Sequence, residues 1–372
     1  MMMNSGVSID GVCARAFQIP TDRPEADGTI SWSSTTLVVV EVSGGGKVGL
    51  GYTYSSASIT GLIVGKLASA VKGRDALQPQ SAFRSMVVSV RNLGREGLAA
   101  TAISAVDSAL HDLKARLLDV PLFTLLGSYR ASVPIYGSGG FTSYSDAELC
   151  DQLGGWVANE GCAFVKMKVG TKPAADPMRV RLAKQAIGEQ AILFVDANGA
   201  YGLQQAMGFA VLFAEQKVAW FEEPVSSDDL DGLREMRTRS PVGMEIAAGE
   251  YAYTIDYVRN MLQAKAVDVQ QADVTRCGGI TAFLQIAALC EAFHVDLSGH
   301  CAPALHLHVA CAAPRLRHLE WFHDHARIEH MLFDGAPVPA RGAIRPDPSR
   351  PGNGLTFKHQ DAARFAVTEA AA

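Results

Sequence analysis

The stretch Phe-Val-Lys-Met-Lys-Val-Gly, residues Phe164–Gly170, decides how the rest of the chain is interpreted. Its apolar residues and its terminal glycine predict a short buried strand. Lys166 and Lys168 interrupt this strand, and residues two apart in a strand point to the same face. Such a pair is costly in a structural strand, but a neighbouring like charge and partial desolvation lower the pKa of a lysine, as a catalytic base requires. An edge strand with solvated lysines is the structural alternative.

The composition is typical of a soluble globular protein with a sizeable core. The chain has 372 residues, of which 48% are hydrophobic and 19% charged, and its net charge is −5. We expect no nucleic-acid partner because no basic patch stands out, and no membrane span because no apolar run is long enough. Met1-Met2-Met3-Asn4-Ser5 lacks the pattern of a signal peptide, and the seven scattered cysteines indicate reduced thiols, so we expect a cytoplasmic protein.

The first third of the chain predicts a small α+β domain, residues 1–130, in which strands precede helices. Gly44–Lys47 reads as a hairpin turn, and the final helix is strongly amphipathic. The predicted strands are Val7–Gln18, Thr35–Val42 and Val48–Tyr54, and the predicted helices are Ile59–Val71, Gln80–Val90 and Leu98–Leu118.

Short apolar runs then alternate with helical stretches, which predicts βα units and a parallel sheet. Eight such strands indicate an α/β fold, a (β/α)₈ barrel over residues 131–339, with the α+β domain as a separate unit. A doubly wound open sheet is the alternative, but Gly137–Gly140 only weakly approximates the dinucleotide turn that it requires. The predicted strands are Val133–Tyr136, Ala163–Lys168, Ile192–Asp196, Val218–Glu222, Met244–Ala248, Ala266–Gln270, Val295–Ser298 and Leu316–Trp321.

Ionisable residues stand at or near the ends of these strands, where a barrel holds its catalytic groups. Each has an ordinary structural explanation, but a ring of such groups around one barrel mouth is costly to desolvate without a function. The set comprises Lys166, Lys168, Asp196, Glu222, Glu250, Asp273, His300 and Glu320.

The residue types suggest a chemistry. Asp196, Glu222 and Glu250 follow three successive strands, and all-oxygen ligation favours Mg²⁺, with Mn²⁺ possible. Asp273 can orient His300 and make it an effective base, while the lysine pair faces it across the mouth. A metal flanked by two bases suits removal of the proton next to a substrate carboxylate.

Together these residues resemble the enolase superfamily and, within it, the mandelate racemase subgroup. The resemblance rests on Lys166-Met167-Lys168, Asp196-Ala197-Asn198, Glu222-Glu223-Pro224, Gly249-Glu250, Asp273 with Gly278-Gly279, His300 and Glu320. It covers nearly the whole chain, and the superfamily is known to pair a lysine or histidine base with Mg²⁺.

The resemblance implies a role for each residue. Asp196, Glu222 and Glu250 would be the metal ligands, Lys168 the base on one face, and His300 with Asp273 the acid or base on the other. Lys166 would lower the pKa of Lys168 and contact the substrate carboxylate, and Asn198 and Glu320 would hydrogen-bond the substrate. The first domain would cap the barrel mouth with a C-terminal tail, residues 340–372, packed on it. Segments Asp22–Gly28 and Tyr52–Ser56, including Tyr54, would then lie near the substrate.

Several related reactions stay open. Loss of a β-hydroxyl would make the enzyme an acid-sugar dehydratase giving a 2-keto-3-deoxy acid, which we favour because the subgroup commonly shows it. Return of the proton to the opposite face would make it a racemase or epimerase, and loss of an internal oxygen a sugar-lactone cycloisomerase. A magnesium-binding barrel without catalytic activity is the remote alternative. The expected partner is a small carboxylate, and we also expect a homo-oligomer.

His323 and His325 could suggest a second metal site. We interpret them as ordinary loop histidines, since no further ligands have suitable spacing.

Overall fold

A three-stranded antiparallel sheet begins the computed structural model, which describes residues 6–367 of the chain. The expectation about Met1–Ser5 therefore concerns residues outside the described range. Strands β2 and β3 join at Gly45 and Gly46, whose φ angles of 57° and 74° form the tight hairpin that the glycines predict. The strands of this sheet are β1 (Ile9–Ala26), β2 (Ser31–Gly44) and β3 (Lys47–Tyr54).

Helices cover one face of this sheet. The sheet and these helices together are called the cap. Helix α4 lies directly on β3, because a Cβ atom at Gly49 or Gly51 would stand 2.1 or 2.2 Å from the carbonyl oxygens of Ala109 and Ala105. The helices are α1 (Ile59–Leu62), continued by a π-helical segment (Ile63–Leu67) into α2 (Ala68–Val71), α3 (Pro79–Ser89), a 3₁₀ turn (Arg91–Leu93), α4 (Leu98–Leu117) and α5 (Leu122–Leu126).

A closed barrel of eight parallel strands follows in the described part of the chain, and the predicted (β/α)₈ fold is confirmed. The strands neighbour one another in chain order, and β11 pairs with β4 to close the ring. The strands are β4 (Val133–Gly139), β5 (Phe164–Lys168), β6 (Ile192–Asp196), β7 (Val218–Glu222), β8 (Glu245–Ala248), β9 (Val269–Ala272), β10 (Asp296–Gly299) and β11 (Leu316–Phe322).

Helices surround the barrel, and short elements complete the chain. The helices are α6 (Asp146–Asn159), α7 (Asp176–Ile187), α8 (Leu203–Glu215), α9 (Leu230–Arg239), α10 (Ile255–Ala264), α11 (Gly279–Ala292), α12 (Pro303–Cys311), α13 (His323–Leu332) and α14 (His359–Ala362), followed by a 3₁₀ turn (Ala363–Phe365). The remaining strands are β12 (Phe333–Asp334), β13 (Ala343–Ile344) and β14 (Thr356–Phe357).

Aromatic side chains fill the barrel interior. Phe194 stacks on Trp220 with ring centroids 5.0 Å apart, and Tyr136 packs edge-on against Phe194. Tyr136 and Trp220 are fully buried, and Ala247 and Val269 join the same cluster. The barrel is therefore a packed core, and polar groups are accessible to a ligand only at its mouth.

The cap reaches the barrel mouth through the end of β1 and the turn after it. The backbone NH of Thr142 donates to Ala26 O, and the Thr171 hydroxyl donates to Asp27 O. A Cβ atom at Gly28 would stand 2.4 Å from Ala197 O, so only glycine allows this approach to the segment after β6. The segment predicted to lie near the substrate thus contacts the carboxyl ends of the barrel strands.

The last part of the described chain contacts both the cap and the barrel. Strand β13 pairs antiparallel with β4, whereas the Leu122 NH donates to Gly352 O and the Val367 NH donates to Ala16 O. The Asn353 side chain also donates to Leu50 O. Gly352, Asn353 and Val367 therefore contact the cap, and the domain limits 1–130, 131–339 and 340–372 stay predictions.

Some predicted elements differ from the structure. Strand β1 continues to Ala26 rather than ending at Gln18, and β9 is Val269–Ala272 rather than Ala266–Gln270. His323 and His325 begin helix α13 and are not loop residues. The seven cysteines form no disulfide, and no helix in residues 6–367 is both long and apolar enough to cross a membrane.

Candidate active site

Lys166 and Lys168 point from β5 to the same side of the barrel, as the strand periodicity predicts. Lys166 has no exposed surface, and its Nζ lies 2.5 Å from Glu222 Oε1 and 2.8 Å from Glu320 Oε1. Lys168 is 5% exposed, and its Nζ lies 2.5 Å from Asp196 Oδ2. The solvated edge-strand alternative is therefore wrong, since both ammonium groups are buried among carboxylates.

Asp196, Glu222 and Glu250 stand at the ends of three adjacent strands. They are buried, and one carboxylate oxygen of each lies within 4.8 Å of the others. Burial, and then the charge of Asp196, raise the pKa of Glu222 to about 8. Part of this shift reflects the neighbouring negative charge, and three converging carboxylate oxygens form a donor set that suits a hard divalent cation such as Mg²⁺.

The carboxylates also determine the charge of the lysines. Burial lowers the pKa of Lys168, but the charges of Asp196, Glu250 and Glu222 together outweigh it and leave that pKa above its ordinary value. The expectation that Lys166 lowers the pKa of Lys168 describes only one contribution, since Lys166 opposes this rise without cancelling it. A divalent cation on the same carboxylates would add positive charge beside both lysines and favour the neutral amine.

His300 and Asp273 meet on the other side of the carboxylates. The distance from His300 Nδ1 to Asp273 Oδ2 is 2.9 Å, and His300 is 4% exposed. Asp273 Oδ1 accepts hydrogen bonds from the backbone NH and the hydroxyl of Thr275. Burial raises the pKa of Asp273, but the hydrogen bond and the charge of His300 outweigh it, so Asp273 is an anion that fixes the imidazole.

Glu320 connects the two sides of the site. Its Oε1 lies near Lys166, and its Oε2 accepts from the Cys301 backbone NH and lies 3.6 Å from His300 Nε2. The Ser138 hydroxyl donates to Oε1 at 2.5 Å. Ser138, near the end of β4, thus orients Glu320.

Asn198 and Tyr54 have different positions. The Asn198 backbone NH donates to Asp196 Oδ1, and its side-chain Oδ1 is buried without a hydrogen-bond partner among residues 6–367. The Tyr54 ring instead stacks on His325 with centroids 3.5 Å apart. No hydrogen bond within the described range joins Tyr54 to the lysines, His300 or the three carboxylates.

Two residues that the sequence did not assign to the site, Arg276 and Cys301, also lie in it. Arg276 approaches Glu250 Oε1 at 3.3 Å and Asp273 Oδ2 at 3.6 Å, and its position three residues after Asp273 was the available signal. Cys301 Sγ lies 3.3 Å from His300 Nε2, and burial raises the pKa of its thiol to about 12. The thiol is therefore a neutral group that borders the imidazole.

Aromatic residues form the wall between the cap and the barrel mouth. Trp32 from β2 packs edge-on against Phe141, which follows β4, and Phe141 packs edge-on against Phe322 at the end of β11. Tyr144 and Cys301 belong to the same cluster. The cap therefore supplies part of the surroundings of the ionisable groups.

Family comparisons agree with this arrangement. The model described as "Enolase C-terminal domain-like" matches residues 148–362, and the "Mandelate racemase / muconate lactonizing enzyme, N-terminal domain" model matches residues 14–127. The chain belongs to the enolase superfamily. Within it, the paired domain models assign this enzyme to the mandelate racemase subgroup, so the predicted family is confirmed.

Curated relatives of this superfamily member catalyse lyase and isomerase reactions. The chain is 32% identical to a 3,6-anhydro-α-L-galactonate cycloisomerase from Streptomyces coelicolor, and the match covers 96% of this chain and 99% of the relative. It is 29% identical to an L-talarate/galactarate dehydratase from Salmonella typhimurium, with 82% and 78% covered. This chain is accordingly an enolase-superfamily lyase or isomerase.

Solved structures share the fold over almost the whole chain. A mandelate racemase/muconate lactonizing enzyme-like protein from Rubrobacter xylanophilus is 50% identical, with a TM-score of 0.95 and coverage of 97% of this chain and 100% of that one. A racemase from Streptomyces coelicolor, solved with bound magnesium, is 31% identical, with a TM-score of 0.91 and coverage of 96% and 100%.

Proposed function

We propose that this enolase-superfamily enzyme removes the proton α to the carboxylate of a sugar acid and then eliminates the β-hydroxyl. The product would be a 2-keto-3-deoxy acid, and one water would leave. The observation that carries the proposal is the arrangement of Lys168 and the His300–Asp273 pair on two sides of three carboxylates. Two groups that exchange protons with one bound carboxylic acid fit this placement.

In the proposed reaction, Lys168 and His300 act as the base and the acid on two sides of the substrate. One takes the proton from the α-carbon, and the resulting enediolate expels the β-oxygen as the other group protonates it. Asp273 holds His300 with Nε2 directed away from itself and toward the site, because Nδ1 faces the Asp273 carboxylate. Loss of the Cα–H and Cβ–O bonds gives an enol, which becomes the keto acid by taking a proton at the β-carbon.

The remaining groups of the site would bind the metal ion and the substrate. Asp196, Glu222 and Glu250 would hold Mg²⁺, which when bound stabilises negative charge on the substrate oxygens. Lys166 and Glu320 would hydrogen-bond the substrate, and the unpartnered Oδ1 of Asn198 is free to accept from a substrate hydroxyl. Tyr54 would act through its packing on His325. Mn²⁺ as a substitute metal, a homo-oligomeric state and a cytoplasmic location are further predictions.

A second candidate is a cycloisomerase, which the similarity to the Streptomyces coelicolor cycloisomerase favours because it extends over 99% of that relative. It shares the first proton transfer, but an internal oxygen of the substrate leaves instead of a hydroxyl. The product would then have the same mass as the substrate, whereas a dehydratase product would have lost one water.

The test is incubation of the Mg²⁺-loaded enzyme in D₂O with aldonic, aldaric and uronic acids and their lactones. Proton NMR and mass spectrometry would follow each acid, with Lys168→Ala and His300→Asn variants as controls. A new deoxy methylene with loss of one water supports the dehydratase, and the same methylene without mass loss supports the cycloisomerase. Deuterium exchange with inversion alone would indicate a racemase, and no exchange with any acid would contradict the proposal.

A further inference from the structure

A second group of potential metal ligands lies where the cap meets the barrel. Asp22 and Glu25 belong to β1 of the cap, and His323 is the first residue of α13 after the last barrel strand. One ligand atom of each lies within 4.8 Å of the others. His323 Nε2 is 3.0 and 3.1 Å from the two Asp22 carboxylate oxygens, close to the spacing of about 3.3 Å between two ligands of one tetrahedral zinc ion.

Glu25 is the member of this group that needs a partner. Its side chain has no exposed surface, and Trp32 Nε1 donates to Oε2 at 2.8 Å. Its Oε1 is buried and has no hydrogen-bond partner among the described residues. An ionised carboxylate oxygen in such a position is costly unless a cation or a donor approaches it.

Neighbouring charges do not supply that cation. Arg327, on the same helix as His323, donates to Asp324 Oδ1 and to Pro20 O. Arg23, which lies between Asp22 and Glu25 in the chain, pairs with Glu148 at 2.8 Å. Both arginines are thus paired with other groups. Two carboxylates and one imidazole surround a position in which a different cation could bind.

We infer that Asp22, Glu25 and His323 form a second divalent metal site, separate from the three-carboxylate site and suited to Zn²⁺. One imidazole and two carboxylates match the ligands of zinc, whereas three carboxylates match Mg²⁺. Three protein ligands leave one position for water. Asp22 is partly exposed, so solvent reaches the site from one side.

The position of the site gives it a structural effect. Bound Zn²⁺ would join the end of β1, which contacts the barrel mouth, to the start of α13. Trp32, which bonds Glu25, packs on Phe141 in the aromatic wall of the active site. The metal would thus stabilise the contact between cap and barrel, and it would not take part in the reaction.

The test is calorimetric titration of the full-length enzyme with Zn²⁺ in excess Mg²⁺, which keeps the three-carboxylate site filled. Wild type is expected to bind one Zn²⁺ per chain. His323→Gln and Glu25→Gln are expected to lose at least about tenfold in affinity, since even partners beyond the ligands typically contribute 10–100-fold. Two ligand variants keep the test valid if one of them fails to fold, as circular dichroism would show.

Two further variants separate this site from other binding. His359→Gln is the matched control because His359 also lies 3.2 Å from a carboxylate, that of Glu41, but on an exposed surface. It should keep full Zn²⁺ affinity, and so should Asp196→Asn, which affects only the other site. Zn²⁺ binding that is equal in wild type and His323→Gln, or that is lost in Asp196→Asn, would overturn the inference.

Discussion

The imidazole Nδ1 of His300 lies 2.9 Å from Oδ2 of Asp273, although the two residues are 27 positions apart in the chain. Thr275 donates two hydrogen bonds to the other oxygen, so the carboxylate cannot rotate freely. In Asp273→Asn, Thr275 would continue to donate its hydrogen bonds to the side-chain oxygen. The amide NH₂ would therefore face Nδ1 of His300 and donate to it. His300 would then carry its proton on Nε2 and could no longer accept one there.

We expect Asp273→Asn to lower turnover by about 10²–10⁴-fold, the usual range for general acid–base catalysis. Proton NMR of α-proton exchange would measure the loss, and Mg²⁺ affinity should be unchanged. Thr275→Val is the matched variant, since it removes one of the bonds to Oδ1 and should cost less. Equal activity of Asp273→Asn and wild type would contradict the assigned role of the pair.

Replacement of Asp196 by Asn should weaken Mg²⁺ binding at least about tenfold, because it removes one of three charged ligands. Calorimetric titration with Mg²⁺ would measure this change. Glu245→Gln is the control, since Glu245 lies at the start of β8 and pairs with Arg317. Undiminished Mg²⁺ affinity in Asp196→Asn would argue against the proposed ligand set.

Gly51→Ala should destabilise the cap by about 1–3 kcal/mol, the usual cost of overpacking. The new Cβ would stand 2.2 Å from the carbonyl oxygen of Ala105, so β3 and α4 would have to separate. Urea denaturation would measure the change. Gly208→Ala, at an open and exposed site in α8, is the control and should stabilise the protein by roughly 0.5–1 kcal/mol.

Glu329 gives a prediction about pH. It is buried, accepts from the Tyr52 hydroxyl and the Ala304 NH, and its pKa rises from 4.5 to about 8 because of burial. The folded state therefore binds the proton more tightly than the unfolded state. Its contribution to stability is present below pH 4.5 and is lost as the pH rises to 8.

Glu329→Gln should remove this loss, since glutamine stays neutral. The stability difference between variant and wild type should change by roughly 3–4 kcal/mol between pH 5 and 8, because one pKa unit corresponds to about 1.4 kcal/mol. Denaturation at several pH values would measure it, with the exposed Glu291→Gln as control. A parallel pH dependence in all three proteins would refute the prediction.

Most of the barrel was predictable from sequence because its strands are mostly short apolar runs with a polar residue at or near their ends. Strand β6 and its final Asp196 were located to the residue. Strand β9 was displaced because Gln270 and Gln271 are buried polar residues within it. When a buried strand contains polar side chains, its end cannot be located from the pattern of hydrophobic residues.

The end of β1 was missed for a different reason. Pro20 and Pro24 interrupt the pattern, but proline is tolerated here because β1 is an edge strand of the three-stranded sheet, in which it pairs with β2. The proximity of Asp22, Glu25 and His323 could therefore not be predicted from sequence, since it depends on how the cap lies on the barrel. The three-carboxylate site was predictable because its members follow consecutive strands of one regular fold.

The fit of Gly28 against the backbone at Ala197 has a consequence for the time course of the reaction. Lys168 and His300 are almost inaccessible to solvent while this contact exists, so we expect the end of β1 to move away each time the proposed substrate enters or its product leaves. Opening must then occur twice per catalytic cycle, and solvent viscosity should slow turnover if this motion is rate-limiting. A bulkier residue at position 28 would hold the passage open and shorten the residence time of the product.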